Sequence, residues 1–393
     1  MTVQADAPTL KVNGQVWEGW EEAMITSVFG PALCGSFEFK LSDRWRQPNS
    51  GTRPIMTGDA CQVWVGPELR LTAWIEDINP NYGPREHGLR VAGRDVGGDL
   101  VDCSSPLTVN VPGGKGKGSS SRSGSKSGGN GSWSNVKLEK IAADLCLAFG
   151  IPVVDGDDTG KPIAQVHLQL GETPFEIIEK LCRSRNVSPT ITPAGELQFL
   201  KASSVKLDGV LKRGLDIKKA SARYSDRGRY SDYIGRGQQR GSDTISAKAA
   251  AHVSAAVNDP TIRRFRPLIV QGEDQQNVET LADRVKNEMA KRIGDSRSVD
   301  ITVAGWRMKS GAIWPVNRLV AIDDAWLGLK DTYLIEQAVY AMANSSHETT
   351  LTLVPPQKLD IAYSGNTPAI GSQISTTSVI TDAEPFSGTQ GSQ

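Results

Sequence analysis

The sequence has few of the residues from which metal and catalytic sites are usually built. Only four histidines occur in 393 residues, and none stands in an HExxH pair or beside cysteines at ligand spacing. The five cysteines are far apart and form no CxxC: Cys34, Cys61, Cys103, Cys146 and Cys182. An odd count fits a disulfide framework poorly, so we expect buried thiols in a reducing cytoplasm and no metal site.

Net charge and long apolar runs are also absent. The 44 basic residues balance 44 acidic ones, so overall charge indicates no polyanionic partner. No apolar run approaches the roughly 18 residues of a membrane helix, and the first residues lack the basic and apolar regions of a secretory signal. We expect a protein that is neither membrane-embedded nor secreted by a signal peptide.

Fingerprints of common enzymes are missing as well. The run from Gly93 to Gly98 lacks the glycine spacing of a dinucleotide site, and no P-loop is present. Adjacent carboxylates such as Glu76-Asp77 point to opposite faces of a strand, which does not give the convergent pair of a glycosidase. We therefore expect no catalytic residues, no metal and no cofactor, and a protein that is not an enzyme.

What is present indicates a mainly β protein. The 40 glycines and 21 prolines separate short alternating stretches, a pattern typical of barrels and sandwiches. Such stretches occur in an N-terminal group at Met24–Phe29, Ser36–Leu41, Cys61–Val65 and Leu69–Ile75, and in a C-terminal group at Val299–Ala304, Leu319–Ile322, Tyr333–Tyr340 and Thr349–Val354. In addition, Asn13-Gly14 predicts a tight hairpin turn.

Helical patterns lie between and within these groups. Asn135–Phe149 has helical spacing, and Thr173-Pro174-Phe175-Glu176 predicts a helix start with a capping box. We predict four regions: a first β-barrel unit at 1–105, an α/β module at 106–212, a second β-barrel unit at 213–355 with a helix near 275–293, and a tail at 356–393.

One segment of the α/β module is of low complexity. Residues 113–132 contain fifteen Gly or Ser and four Lys or Arg, too little apolar surface to order the chain. The loop is either a basic finger that touches DNA or a neighbouring subunit, or an insertion without a role.

The stretch 71–104 lies at the end of the first unit and indicates a hairpin whose return strand runs into a short helix. It predicts a strand at Leu71–Ile75, a turn at Asn79–Pro84, a return strand at Leu89–Ala92, and a short helix capped by Asp95.

Four segments of the chain resemble Mu-like phage baseplate hub proteins, in the same order as in that family. They are Leu41–Trp45, Gly93–Asp95 with Gly98–Ser104, Gly171–Glu176 with Leu181–Arg183, and Gly305–Arg307 with Gly311–Trp314 and Asn317. The second departs from the family signature at Val96-Gly97. The resemblance implies a homotrimer whose paired barrels imitate sixfold symmetry, joining the tail tube to the central spike and enclosing a passage for DNA.

The resemblance also implies a place and partners. These are a virion baseplate assembled in the host cytoplasm, the tube protein, the spike protein, other baseplate proteins and transient non-specific DNA. Alternatives are a hub or spike carrier of an injection particle or type VI apparatus, and a tail-associated cell-wall hydrolase. The chain lacks the β-helical repeat expected of a fused spike.

Two sets of residues are candidates for contacts. The family motifs suggest a subunit or partner interface at Arg94, Asp95, Asp99, Asp102, Trp306 and Arg307. Arg94 would pair with Asp95, Asp99 or a neighbouring subunit; a surface ion pair within the chain is the competing interpretation.

The second set comes from residues 201–240, where eleven Lys or Arg stand against four Asp. Basic residues interleaved with tyrosines can bind nucleic acid, but the same pattern fits two strands, Leu215–Tyr224 and Tyr230–Arg236, with solvated arginine faces. In a ring, the channel-facing candidates are Lys218, Lys219, Arg223, Arg227 and Arg229.

Overall fold

A computed structural model of the protein describes residues 6–30, 32–42, 55–83, 87–106, 131–183, 185, 187–237, 253–271, 278–344 and 346–358. Most of the Gly/Ser-rich loop and all of the tail after residue 358 lie outside these ranges. The chain is mainly β, as predicted, with four α-helices among the described residues.

Along the chain the elements fall into two groups. The first contains β1 (Pro8–Val12), β2 (Gln15–Trp17), β3 (Glu22–Val28), β4 (Ser36–Ser42), β5 (Ala60–Val65), β6 (Glu68–Tyr82), β7 (His87–Asp95), α1 (Gly98–Asp102), β8 (Ser132–Val136), α2 (Leu138–Cys146), β9 (Ile163–His167), α3 (Pro174–Arg183), β10 (Ser188–Ile191) and β11 (Leu197–Leu200). The second contains β12 (Lys206–Lys212), β13 (Ile217–Tyr224), β14 (Asp232–Gly237), β15 (Val253–Asn258), β16 (Pro267–Gln271), α4 (Val278–Asp295), β17 (Arg297–Ala304), β18 (Leu319–Asp324), β19 (Leu329–Ala343) and β20 (Ser346–Val354). Short 3-10 turns follow α2 and β20.

Local signals in the sequence account for several of these elements. Asn13 and Gly14 have φ angles of 51° and 78°, and Val12 pairs with Gln15, so the predicted hairpin is confirmed. At α3, Thr173 Oγ1 accepts the Glu176 N–H at 3.2 Å while the Glu176 carboxylate accepts the Thr173 N–H at 2.8 Å. The predicted capping box is therefore confirmed.

The predicted turn after residue 78 is wrong. β6 runs for 15 residues through Asn79-Pro80-Asn81-Tyr82 and pairs with β7 as far as Tyr82 and His87. Its other neighbour, β5, ends opposite Trp74, so beyond that point one side of β6 has no partner strand among the described residues. A proline can stand in such an edge position without costing a ladder hydrogen bond.

Thirteen strands form one sheet that contains two series with the same order. The first series is β3-β4-β7-β6-β5-β1, and the second is β13-β17-β20-β19-β18-β12. In each series the third strand, counted from β1 or from β12, is long and bulged. The bulge of β6 lies at Glu76, between Ile75 and Asp77, and the bulge of β19 lies at Glu336, between Ile335 and Gln337.

The two series are joined by the pairing of β3 with β19, in which Ile25 lies opposite Tyr340. An exposed strand edge carries unpaired backbone groups, and this pairing satisfies them. Within the described ranges neither series closes into a barrel, and one large core lies against both, with Phe39, Ile75, Ile301 and Ile335 fully buried.

The α/β module has a core of its own. The helices α2 and α3 pack with α1 and the hairpin β10–β11 around Leu100, Trp133, Ile141 and Phe199. The strand β8, which sequence periodicity did not indicate, pairs with β9.

Packing divides the chain differently from the predicted boundaries. One compact unit comprises Met1–Ala222 with Val299–Asp360, and the described part of the other falls within Arg223–Ser298. The predicted region 213–355 is thus interrupted by a separate unit.

The smaller unit consists of a three-stranded sheet and α4. In the sheet β14 lies between β15 and β16, and Tyr233, Val285 and Met289 form the core against the helix. A Cβ on Gly235 would lie 2.7 Å from the Val285 side chain, so glycine permits the close approach of helix and sheet. The predicted strands on either side of Asp226 both exist, but they belong to different sheets.

Candidate functional site

Arg94 is the centre of an ion-pair network within the chain. Its Nη2 lies 2.7 Å from Glu76 Oε1, its Nε lies 2.9 Å from Glu76 Oε2, and it also bonds Asp102. The bulge in β6 re-aims Glu76 so that it reaches Arg94 on the neighbouring strand. The expected pairing of Arg94 with Asp95 or Asp99 is therefore wrong, because the carboxylates that it bonds are those of Glu76 and Asp102. The competing interpretation, an ion pair within the chain, describes what the structure has.

Asp95 has a different task. Its side chain is buried and accepts two backbone N–H groups, from Gly35 at 2.6 Å and from Gly97 at 2.9 Å. It is not the N-cap of α1, since Gly97 occupies that position without a side-chain cap bond. Burial raises the pKa of Asp95 to about 7, although the two backbone donors and Arg94 act in the opposite direction.

The glycines of this segment are explained by close contacts. A Cβ on Gly93 would lie 1.9 Å from the carbonyl oxygen of Trp74, and one on Gly97 would lie 2.8 Å from the Ile191 side chain. A residue larger than glycine would push β7 from β6, or α1 from the module.

The segment 93–105 joins the large sheet to the α/β module. Val96 N donates to Thr72 O at 3.2 Å, Ser105 N donates to Glu172 O at 3.1 Å, and Ser104 Oγ donates to Gly171 O at 2.9 Å. Leu100 is fully buried in the core of the module. The residues of the signature therefore hold two parts of one unit together, and we call this segment the junction.

The two other acids of the junction differ in environment. Desolvation raises the pKa of Asp99, whereas the hydrogen bond from Arg94 lowers the pKa of Asp102. The Asp102 carboxylate belongs to the ion-pair network of Arg94. Asp99 bonds through its backbone, where its carbonyl oxygen accepts the N–H of Cys103.

The second motif, Trp306-Arg307, is also satisfied within the chain. Trp306 is fully buried and donates its indole N–H to Ala341 O at 3.0 Å, so it is a core residue and not a surface contact. Arg307 pairs with Asp6 at 2.5 Å and with Glu68 at 2.6 Å. The hydrogen bonds that Arg307 donates to Glu68 and Asp6 raise the pKa of its guanidinium above the usual value.

The basic candidates differ in burial and in pairing. Lys218 pairs with Glu348 at 2.9 Å, and Lys219, Arg223 and Arg227 are exposed. Arg229, by contrast, is buried and cannot face a channel. Its Nη2 lies 2.6 Å from Asp259 Oδ2, with both side chains at most 6% exposed.

Sequence reasoning missed two features of these arrangements. Alternation along the strand does not reveal the bulge that turns Glu76 toward Arg94. The charge pattern around Arg229 does not reveal its partner Asp259, which lies thirty residues further along the chain.

The described ranges contain neither a cluster of metal-ligating side chains nor a helix suited to crossing a membrane. There, no three His, Cys, Asp or Glu side chains meet as a possible metal site, and the five cysteines are free thiols. None of the described helices combines the length and apolar character that crossing a bilayer requires.

Three family models match the chain in sequence. Residues 8–95 match "Mu phage baseplate assembly protein GpP-like, N-terminal", residues 123–201 match "Baseplate hub protein gp44-like, second domain", and residues 278–362 match "Mu phage baseplate assembly protein GpP, fourth domain". The baseplate hub protein gp44 of Escherichia phage Mu is 26% identical over 356 residues, which cover 88% of this chain and 87% of that protein.

Solved structures are similar over the same length. A 43 kDa tail protein of prophage MuSo2 from Shewanella oneidensis is 30% identical, with a TM-score of 0.75 and coverage of 90% of this chain and 99% of that one. A tail protein from Neisseria meningitidis shares the fold at 20% identity, with a TM-score of 0.73 and coverage of 91% and 99%.

Proposed function

The chain belongs to the Mu-like phage baseplate hub family, and we propose that it is the hub that joins the sixfold tail tube to the threefold central spike. Its relatives are structural baseplate and tail proteins. In this proposal three copies form a ring in the virion, assembled in the host cytoplasm, and the ring encloses the passage for DNA. We propose no catalytic activity for it.

The observation that carries the proposal is the repeated strand order in the large sheet. Both series contain a 15-residue strand that bulges at an Ile-Glu pair, Ile75-Glu76 in β6 and Ile335-Glu336 in β19. Two β units of the same design in each chain supply six in a trimer. Such a ring can meet a sixfold tube on one face and a threefold spike on the other.

Contacts in a ring of this kind are heterologous, so two different faces of one chain must fit each other. Among the proposed interface residues, the intrachain bonds of Arg94 and Arg307 support a role in fixing the shape of each unit. Asp99, whose carboxylate is partly exposed and has no side-chain partner among the described residues, remains the better candidate for a contact with a neighbour.

The proposed passage for DNA is supported by exposed basic residues. Lys219, Arg223 and Arg227 are exposed and remain the candidates for the lumen, together with Lys218, whose charge is shared with Glu348. Non-specific contact of such residues with phosphates would weaken steeply with salt.

Reconstitution tests the proposal. Purified hub is mixed with the tail tube protein and the spike protein of the same phage, and complexes are separated by size. We expect one complex that contains both partners and three hub copies. A hub that binds neither partner, or only one of them in any order of addition, would contradict the joining role.

A further inference from the structure

The smaller unit contains a cleft whose charge is not balanced. Its volume is about 480 Å³, and its walls come from the end of β13, the turn before β16, and the start of β17. Arg263, Arg264 and Arg297 line it together with Tyr224, Ile262 and Ser296. All of these residues lie within Arg223–Ser298, so the cleft belongs to one compact unit.

Three guanidinium groups in the cleft lack a counter-ion. Among the described residues, no carboxylate pairs with Arg263, Arg264 or Arg297, whereas Arg229 and Arg292 of the same unit do have carboxylate partners. The carboxylate nearest in the lining, Asp226, bonds Arg229 at 3.4 Å. An anion in the cleft would give these guanidinium groups a partner for charge-assisted hydrogen bonds.

The turn that presents two of these arginines is braced from inside. Asp259 Oδ1 accepts the Thr261 N–H at 3.1 Å and the Thr261 hydroxyl at 2.6 Å, while its Oδ2 accepts Arg229 at 2.6 Å. Asp259 N also donates to Ser231 O at 2.8 Å. The backbone from Asp259 to Ile262, immediately before the two arginines, is thus held beside a charged pair in the interior.

A buried ion pair is a costly way to hold a surface turn. The free energy needed to desolvate two charges offsets much of their Coulomb attraction. Proteins in which apolar residues replace a buried ion pair are often as stable as those with the pair. Such a pair does fix one geometry, and binding sites need side chains whose supporting residues are locked in place. The arrangement fits a turn whose shape matters for what it contacts.

Aromatic rings accompany the arginines. The side chain of Phe265, next to Arg264 in the chain, is 82% exposed, and Tyr224 in the cleft wall is 46% exposed. Unpaired arginines beside exposed rings suit single-stranded nucleic acid, because the guanidinium groups bind phosphates while bases stack on rings. A carboxylate peptide would use the charges but not the rings.

We propose that this cleft binds a phosphate group of a nucleic acid strand through Arg263, Arg264 and Arg297, with Phe265 and Tyr224 as stacking surfaces. The assignment goes beyond the proposed hub role, because base stacking requires unpaired bases, and it needs neither a ring nor a spike. Arg229 and Asp259 are positioning residues for it.

The test uses the full chain and a fluorescent twelve-residue oligo(dT), with binding followed by anisotropy at several salt concentrations. We expect Arg263→Ala/Arg264→Ala to weaken binding by about tenfold and to make the slope of log affinity against log salt shallower by roughly one to two. The matched control, Lys161→Ala/Lys180→Ala, removes two exposed charges from the α/β module and should change affinity less than twofold. Circular dichroism verifies that each variant is folded.

Two competitors identify the ligand class. Inorganic phosphate should compete only at far higher concentration than the oligonucleotide; equal potency would show a free-anion site and overturn the nucleic acid assignment. An acidic peptide such as oligo-glutamate that binds as tightly as oligo(dT), and equally well to Phe265→Ala, would overturn it in favour of a protein partner. Equal losses in the control variant would show diffuse charge attraction. Assembly with tube and spike is measured separately, so failure of this site leaves the proposed hub role testable.

Discussion

The two strand series of the large sheet have the same order but differ in the additional segment of chain that accompanies each. The first series is followed after β7 by the junction and the α/β module, which share a unit with the sheet. The second is interrupted between β13 and β17 by a unit with its own core. The bulges differ too: Glu76 pairs with a one-third exposed Arg94, whereas Glu336 pairs with a nearly buried Lys358. The same strand order is therefore compatible with two different additional segments, which we call the first insertion (the junction and the α/β module) and the second insertion (the smaller unit). Each contains a buried polar contact that we call its brace: Asp95 with two backbone N–H groups in the first, and Arg229 with Asp259 in the second.

The largest effect should come from the brace of the second insertion. Arg229→Ala leaves the Asp259 carboxylate buried without its cation, and we expect it to lower the free energy of unfolding by about 3–5 kcal/mol. Guanidinium chloride unfolding followed by circular dichroism measures this, with hydrogen exchange of α4 to locate it. The exposed neighbour change Arg227→Ala should cost under about 0.5 kcal/mol. Equal effects of the two substitutions would show that the buried pair has no special weight.

The brace of the first insertion comes next. Asp95→Ala leaves the N–H groups of Gly35 and Gly97 without their acceptor. We expect a loss of about 2–4 kcal/mol, taking roughly 1–2 kcal/mol for each unsatisfied buried group, the lower part of the usual range. Denaturant unfolding measures the loss, and Asp99→Ala, a carboxylate four residues away, is the control. A loss below about 1 kcal/mol would mean that water or a shifted backbone satisfies both donors.

Asp95 should also make the stability of the first insertion depend on pH. Its pKa is raised from 3.8 to about 7 by burial. A carboxyl with a raised pKa contributes stability that is complete below its unfolded pKa and is lost as pH rises through the folded pKa. The unfolding free energy of the wild type relative to Asp95→Ala should therefore fall between about pH 4 and pH 7. A difference that grows over this interval would show that the two backbone donors outweigh burial.

The smallest effects should come from the two bulges. Glu76→Gln and Glu336→Gln should each cost about 0–1 kcal/mol, with the larger loss at Glu336, because its pair is less exposed and less screened by salt. Thermal unfolding at low and high salt measures both. A reversed order would indicate that the Asp102 contact of Arg94 matters more than exposure.

The sequence predicted what local geometry determines. Asn13-Gly14 specifies its turn, and Thr173 with Glu176 specifies a helix start, because the partners are within three residues. The turn expected at Asn79–Pro84 failed because pairing with β7 overrides the propensities of Asn and Pro when one strand edge is open. The partners Glu76 for Arg94 and Asp259 for Arg229 depend on register and on chain folding over many residues, which alternation and charge counts do not contain.

The central claim is that two β units in each chain let three copies imitate a sixfold collar. Electron microscopy of the purified hub, alone and with the spike protein, tests it most directly. The account predicts ring-shaped particles of three chains with six β units arranged around an open centre. Particles that remain single chains, even with the spike protein present in excess, would contradict it.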